Sequence, residues 1–162
     1  YIDVLEGEYQ IQVVPSGETP AKGTTLIETT LKVEKGKVYA LAAGGMLASI
    51  KPYFAVDDGD VPREESRGLM RTWHLSPDTP AVTAVLPEMK NAVLAKDLSF
   101  GNASDYMEVI AGDDTNEVQF QIGGTTVLTS FVVVPTSGVV TVYVFGLSKG
   151  TPALETVVGR DR

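Results

Sequence analysis

The chain repeats its own pattern of strands and turns, and this repeat constrains the fold more than any other feature. Three pairs of segments match in their order of aromatic, apolar, acidic and glycine residues: 1–7 with 106–112, 8–13 with 117–122, and 36–44 with 138–146. The spacing differs by a few residues from pair to pair, as expected when turns vary in length and strands do not. The sequence therefore predicts two tandem copies of one small fold.

Both copies read as strands separated by tight turns. In residues 8–13, apolar and polar side chains alternate, which is typical of a strand with one buried face. Residues 1–5 also alternate and predict a strand, whereas Pro52 within 46–56 predicts an edge strand or two short pieces. Turns rich in glycine and proline recur about every ten residues without a helical period. We predict an all-β protein of two tandem Ig-like antiparallel β-sandwiches.

The first copy is shorter than the second at its front. The predicted domains are a first repeat over 1–56, a charged linker over 57–67 and a complete second repeat over 68–162. Residues 69–105 have no counterpart in the first copy, so we expect that repeat to be incomplete at its N-terminus by three strands. Trimming of upstream sequence, proteolytic processing and strands supplied by another subunit all remain open explanations. The last of these predicts a head-to-tail polymer.

Residues 74–82 read HLSPDTPAV. This segment closely resembles the His-x-Ser-Pro-Asp-x-Pro-Ala-Val hallmark of an uncharacterised (domain-of-unknown-function) family of prokaryotic cell-envelope proteins with tandem Ig-like repeats. Residues 98–112 and 26–37 resemble that family as well. The chain departs from the pattern at Thr83, where Asp is common, and in lacking the first copy's hallmark. The resemblance implies an extracellular or cell-surface protein without known enzymatic activity, and it carries no catalytic residues with it.

The hallmark contains the residue types of a hydrolase triad. A triad needs histidine in hydrogen-bond reach of the serine, with the acid behind the histidine. Prolines fix this stretch as a turn, so Asp78 is better placed to cap it by accepting backbone N–H bonds. We therefore predict a structural turn made by His74, Ser76, Pro77, Asp78 and Pro80, with His74 bonded to backbone, and a protein that is not an enzyme.

Composition excludes several classes of protein. With a net charge of −8, the chain lacks the basic surface that nucleic-acid-binding proteins need, so this class is excluded. The absence of cysteine excludes disulfides and thiolate metal sites. No apolar run approaches the ~20 residues that a membrane span requires. We expect no nucleic-acid partner, no membrane span in this chain and no cofactor.

An acidic cluster around Gly59 is the one metal candidate. Asp57, Asp58 and Asp60 could together bind Ca²⁺, which prefers clustered carboxylates and carbonyls. The cluster lacks the twelve-residue loop and terminal glutamate of an EF-hand. A solvated acidic linker is the favoured interpretation.

The incomplete first repeat predicts the function. We expect a non-enzymatic extracellular structural or assembly module, whose strand edges pair with other copies or with a neighbouring domain that supplies the missing strands. The candidate interface residues lie on 1–5, 46–56 and 153–158: Tyr1, Ile2, Val4, Met46, Ile50, Tyr53, Phe54, Leu154 and Val157. The alternative is an adhesion module that binds cell-wall polysaccharide or exopolysaccharide through exposed aromatic side chains such as Tyr53 and Trp73.

Overall fold

The computed structural model describes residues 2–57, 64 and 66–161. Strands are the main regular structure of this part of the chain, which also contains two single-turn 3₁₀ helices. The chain divides into two compact units, Tyr1–Asp58 and Gly59–Arg162. The predicted all-β class, with two β-sandwich repeats of which the first is incomplete, is confirmed.

The first unit consists of two antiparallel hairpins. Its strands are β1 (Gly7–Val13), β2 (Ile27–Val33), β3 (Tyr39–Gly44) and β4 (Lys51–Val56). Strand β1 pairs with β2, and β3 pairs with β4, so each sheet has two strands. A 3₁₀ turn, Leu47–Ser49, precedes β4, and Pro52 lies within β4.

The second unit is a sandwich of two four-stranded sheets. Its strands are β5 (Arg67–His74), β6 (Val82–Leu86), β7 (Ala92–Leu98), β8 (Met107–Ile110), β9 (Thr115–Ile122), β10 (Thr125–Val133), β11 (Val139–Phe145) and β12 (Glu155–Arg160). The sheet orders are β10-β9-β6-β7 and β12-β11-β5-β8. Every pair is antiparallel except β5 with β11, which run parallel.

The two hairpins of the first unit correspond to β9-β10 and β11-β12. In both units the two hairpins meet through their outer strands, β2 with β4 and β10 with β12. The hydrogen bond just beyond each second hairpin also matches. The N–H of Asp57 donates to the carbonyl of Val38 at 2.8 Å, and the N–H of Asp161 donates to that of Val139 at 2.7 Å. Val38 is therefore the counterpart of Val139, and Asp57 that of Asp161.

This register differs by one residue from the glycine match in the sequence. The sequence aligns Gly44 with Gly146, whereas the hairpin hydrogen bonds align Gly45 with Gly146. Both Gly45 (φ 111°) and Gly146 (φ 84°) lie in the left-handed region, and each immediately follows the first strand of its hairpin. Because glycine adopts positive φ at little cost, the shared backbone conformation identifies the equivalent positions.

The second unit has a filled core, and the first does not. Among the described residues, Ile27 and Val33 are the buried hydrophobic side chains of the first unit. The second unit contains a contiguous cluster formed by both sheets, which includes Met70, Val82, Leu86, Val118, Phe120, Val140, Val142 and Val144. Ile11 is half-buried, whereas its counterpart Phe120 is fully buried. The first unit thus has the inward-facing side chains of a sandwich without the strands that would cover them.

The predicted strand over residues 1–5 is wrong, since residues 2–5 adopt no regular structure. Their counterpart in the repeat is β8, which pairs with β5 alone. The first unit contains no counterpart of β5 among the described residues. Alternation alone does not form a strand when the neighbouring strand is missing, because the ladder supplies the hydrogen bonds.

The placement of Ile11 and Phe120 in separate units predicts that truncating them has different effects on the stability of the second unit. Phe120→Ala should lower the free energy of unfolding of the second unit by about 3–5 kcal/mol, because it opens a cavity in a filled core. Ile11→Ala should leave this value within about 0.5 kcal/mol, because Ile11 belongs to the other unit. Denaturant unfolding followed by Trp73 fluorescence measures the second unit specifically, since Trp73 is the one tryptophan of the chain. Equal losses in the two variants would contradict the assignment of separate cores.

Candidate functional site

The hallmark segment begins at the end of β5 with a buried histidine. His74 is 0% exposed. Its Nδ1 accepts the N–H of Ser76 at 3.3 Å, and its Nε2 lies 3.1 Å from the carbonyl oxygen of Pro80. The ring is therefore the neutral tautomer that carries its proton on Nε2 and donates to Pro80. Burial lowers the pKa of His74 below its ordinary value.

Ser76 connects the hallmark to a loop that is distant in sequence. Its hydroxyl donates to the carbonyl of Gly146, with Oγ and O 2.8 Å apart. Its Oγ lies 2.6 Å from Oγ1 of Thr79. Because the Ser76 proton goes to Gly146, Thr79 is the donor to Ser76. The hydroxyl is buried and committed to this network, and neither nitrogen of His74 hydrogen-bonds it.

Asp78 holds the same loop through its carboxylate. Oδ1 accepts the N–H of Ser148 at 2.7 Å, and Oδ2 accepts the N–H of Lys149 at 3.2 Å. The hydroxyl of Ser148 donates to the Asp78 carbonyl at 3.2 Å. The bond from the Ser148 N–H, followed by that from Lys149, lowers the pKa of Asp78.

The five predicted turn residues thus form a clamp between two connections. The term hallmark clamp is used below for the contacts that His74, Ser76 and Asp78 make within the β5–β6 connection and with the β11–β12 loop. Asp78 accepts backbone N–H bonds, as the sequence predicts, and the donors at 2.7 and 3.2 Å belong to the β11–β12 loop, which is distant in sequence. Pro80 contributes its carbonyl, and Pro77 is half-buried in the connection.

A buried polar network begins on β5, the strand that leads into the hallmark. The sequence did not predict it. Nε of Arg71 donates to Oγ1 of Thr141 at 2.8 Å, and Thr141 donates to the Asp161 carboxylate at 2.5 Å. The hydroxyl of Tyr106 donates to the same carboxylate at 3.0 Å, and the Arg71 guanidinium lies 4.5 Å from the centroid of the Tyr106 ring. An arginine within a strand that is otherwise buried was the available signal, because buried charges require partners.

The main-chain groups of β3 that point away from β4 form an open edge. Ladder hydrogen bonds alternate along an antiparallel pair, and the bond from Asp57 to Val38 fixes their phase. Tyr39, Leu41 and Ala43 therefore direct their N–H and C=O groups to the opposite side. In the described part of the chain, no strand pairs with β3 on that side.

The corresponding edge in the second unit is occupied by β5. The N–H of Leu75 donates to the carbonyl of Val144 at 2.7 Å, and the N–H of Leu69 donates to that of Gly138 at 2.9 Å. Val144 is the counterpart of Ala43. Strand β1 has an open edge in the same way as β3. Its counterpart β9 pairs with β6 on one side, and no strand of the described residues pairs with β1 on that side. We call these two sides of β1 and β3 the open edges.

The predicted interface residues fall into three groups in the structure. Ile2, Val4, Met46, Phe54 and Val157 are exposed. Ile50, Tyr53 and Leu154 are half-buried, and Leu154 packs against the core cluster of the second unit. Tyr1 lies outside the described residues. The strands β4 and β12, which carry several of these residues, are edge strands of their sheets.

The acidic cluster is described only at its first member. Asp57 is buried at the end of the β3-β4 hairpin, in the position equivalent to Asp161. Asp58 and Asp60 lie outside the described residues. Within residues 2–57, 64 and 66–161, no three histidine or carboxylate side chains come close enough to hold a metal ion.

Two further observations concern the alternative function. Trp73 is fully buried, and its Nε1 donates to the carbonyl of Gly101 at 3.1 Å, so its ring is not available to stack on a sugar. The outer face of β10 carries an exposed apolar stripe of Val127, Phe131 and Val133, which the sequence predictions did not include. None of the helices that the structure describes is long or apolar enough to span a bilayer.

Comparison with known proteins identifies a family and similar solved structures. A model of the family described as "domain of unknown function (DUF4397)" matches residues 1–85 and again 68–162. Among solved structures, the C-terminal domain of AlgF from P. aeruginosa is similar at 19% sequence identity and a TM-score of 0.40, covering 59% of this chain and 98% of that domain. No curated protein matches the chain in sequence.

The burial of His74 predicts a dependence of stability on pH. Because the folded-state pKa lies below the unfolded value of about 6.5, the unfolded chain binds a proton on this histidine at a higher pH than the folded chain does. The free energy of unfolding should therefore fall as pH drops below about 6.5, by at most about 1.4 kcal/mol per pH unit. NMR titration of the one histidine measures its pKa directly, and a value at or above 6.5 would contradict the prediction.

The lowered pKa of Asp78 predicts a second dependence of stability on pH. Its cause is hydrogen bonding to the charged carboxylate, whereas the cause for His74 is burial. The pKa of Asp78 is lowered by folding, so the contribution of this carboxylate to stability is present above the unfolded pKa and is lost as pH falls through the folded value. Asp78→Asn should lower the thermal midpoint at pH 7, and the deficit should shrink below about pH 4. Asp114→Asn, in an exposed turn, is the matched control and should leave the midpoint unchanged. An unchanged midpoint in Asp78→Asn would show that the clamp contributes nothing measurable.

Proposed function

Because the chain belongs to the family of the domain of unknown function DUF4397, with its model matching in two tandem copies, we propose that it is a non-enzymatic structural and assembly module of a secreted or cell-surface protein. Membership confirms the family resemblance predicted from the hallmark residues. In this proposal the first unit is completed by strand addition from outside itself, and repetition of that contact joins copies head to tail.

The open edges carry the proposal. A two-stranded sheet is marginal in water, and a strand edge with unpaired N–H and C=O groups is a template for another strand. The inward face beside the β3 edge is apolar and uncovered. Leu41 is 41% exposed, whereas its counterpart Val142 is 0% exposed. Strand addition would satisfy the main-chain groups and cover this face in the same step.

The chemistry of the hallmark clamp supports a structural role over a catalytic one. Both ring nitrogens of His74 are engaged with backbone groups, and the hydroxyl of Ser76 donates to a carbonyl. A nucleophilic serine needs its hydroxyl bonded to a base that can take the proton. These side chains are instead committed to holding two connections together.

The proposed location rests on resemblance and composition. The hallmark resembles that of prokaryotic cell-envelope proteins, and a cysteine-free chain suits an oxidising environment. The buried Trp73 argues against the alternative of an adhesion module with an aromatic sugar platform at this position. The structural and assembly role is therefore the function that these observations favour.

Blocking the β3 edge should abolish assembly. Ala43→Pro removes an N–H that points to the open edge and leaves the β3-β4 ladder bonds in place, since Ala43 lies opposite Pro52. Ala43→Val keeps the N–H and is the matched control. In analytical ultracentrifugation over a range of concentrations, the wild-type chain and Ala43→Val should form oligomers, and Ala43→Pro should remain monomeric. A wild-type chain that is monomeric throughout would refute self-assembly through this edge.

A further inference from the structure

The second unit shows what occupies the edges that are open in the first. Strand β5 lies against β11, and the next strand, β6, lies against β9 in the opposite sheet. One continuous segment, β5 through β6, therefore covers both edges, and its connection is the hallmark. The partner of the open edges needs the same property, because β1 and β3 lie in separate sheets.

From this correspondence we infer that the open edges form a binding site for a polypeptide segment with the pattern of residues 67–86, including a His-x-Ser-Pro-Asp turn. This inference rests on the proposed strand addition and names its partner. The segment's first strand runs parallel to β3, as β5 does to β11, and its second runs antiparallel to β1, as β6 does to β9.

The register follows from the equivalence of Val38 with Val139. Val139 lies opposite Leu69 and Val142 opposite Thr72, so the segment's leucine falls opposite Val38 and its threonine opposite Leu41. The ladder bonds then reach the main-chain groups of Tyr39, Leu41 and Ala43, which are those pointing to the open edge. The register taken from the β5-β11 pair therefore directs the new hydrogen bonds to the same main-chain groups of β3 that point away from β4.

The side chains of the segment match the uncovered face. In the second unit, Met70 on β5 and Val82 on β6 enter the core cluster together with Phe120 and Val142. The counterparts of these last two, Ile11 and Leu41, are half-buried and exposed in the first unit. Apolar residues at the Met70 and Val82 positions would bury both, which is the main source of affinity for an apolar surface.

The hallmark serine supplies the specific polar contact. Ser76 donates to the carbonyl of Gly146, whose counterpart is Gly45 with the same left-handed backbone conformation. The Gly45 carbonyl is thus the acceptor for the serine of an incoming segment. A strand that lacks this turn could add to one edge, but it would not cross to the other sheet with its polar groups satisfied.

The inference is tested with a fluorescently labelled synthetic peptide of residues 67–86, titrated into the full chain and followed by anisotropy. We expect saturable binding of one peptide per chain, lost in Ala43→Pro and retained in Ala43→Val. The Ser76→Ala peptide should bind about twofold to tenfold more weakly, because it loses one hydrogen bond. A peptide with Met70→Glu and Val82→Glu should not bind, because both apolar contacts are replaced by charges.

Hydrogen exchange locates the bound peptide. The amides of Leu41 and Ala43 should become protected when the peptide is added, whereas those of Ala40 and Ala42, which face β4, should be protected already. Binding that is undiminished in Ala43→Pro, or protection elsewhere only, would overturn the inference.

The outcomes separate this inference from the proposed function. If the chain forms oligomers that depend on the β3 edge but does not bind the peptide, the inference is overturned and strand-mediated assembly is still supported. Peptide binding by a chain that remains monomeric would support the inference and contradict head-to-tail self-assembly. Absence of both would refute the two together.

Discussion

Main-chain hydrogen bonding on both sides of β5 is the constraint on which the second unit depends. This strand lies between β11 and β8, and its residues are buried on both faces from Gly68 to His74. It places Met70 in the core and Arg71 in the buried polar network. Within the described residues, the first unit contains the same two hairpins without this strand. The comparison therefore shows what β5 contributes, which is a covered core and an ordered β8.

The hallmark clamp explains why a fixed sequence follows β5. The chain must cross from one sheet to the other at this point, and a crossing connection carries polar groups into a buried position. Ser76 and Asp78 satisfy those groups by bonding the β11–β12 loop, so the crossing and the loop hold each other in place. The buried ring of His74 completes the turn through hydrogen bonds with backbone groups.

The strand pattern in the sequence predicted some elements correctly and others not. Residues 8–13 and 117–122 alternate alike, and each segment lies entirely within a strand. Residues 1–5 alternate in sequence like β8, but residues 2–5 form no strand, because no counterpart of β5 pairs with them in the described part of the chain. The glycine match was off by one residue, since conformation and not identity decides which glycine follows the strand. Arg71 and Phe131 were missed because alternation describes faces and does not reveal which face is covered.

The sequence by itself determined the β class, the tandem repeat, the shortness of the first copy and the turn character of the hallmark. These properties follow from local alternation, from turn residues and from comparison of the two copies. Only the tertiary structure decided which edges are open, that Asp78 binds a loop some seventy residues away, and that Trp73 is buried. Such properties depend on which strands become neighbours, and that pairing is fixed by long-range hydrogen bonds and shared burial, which no local pattern records.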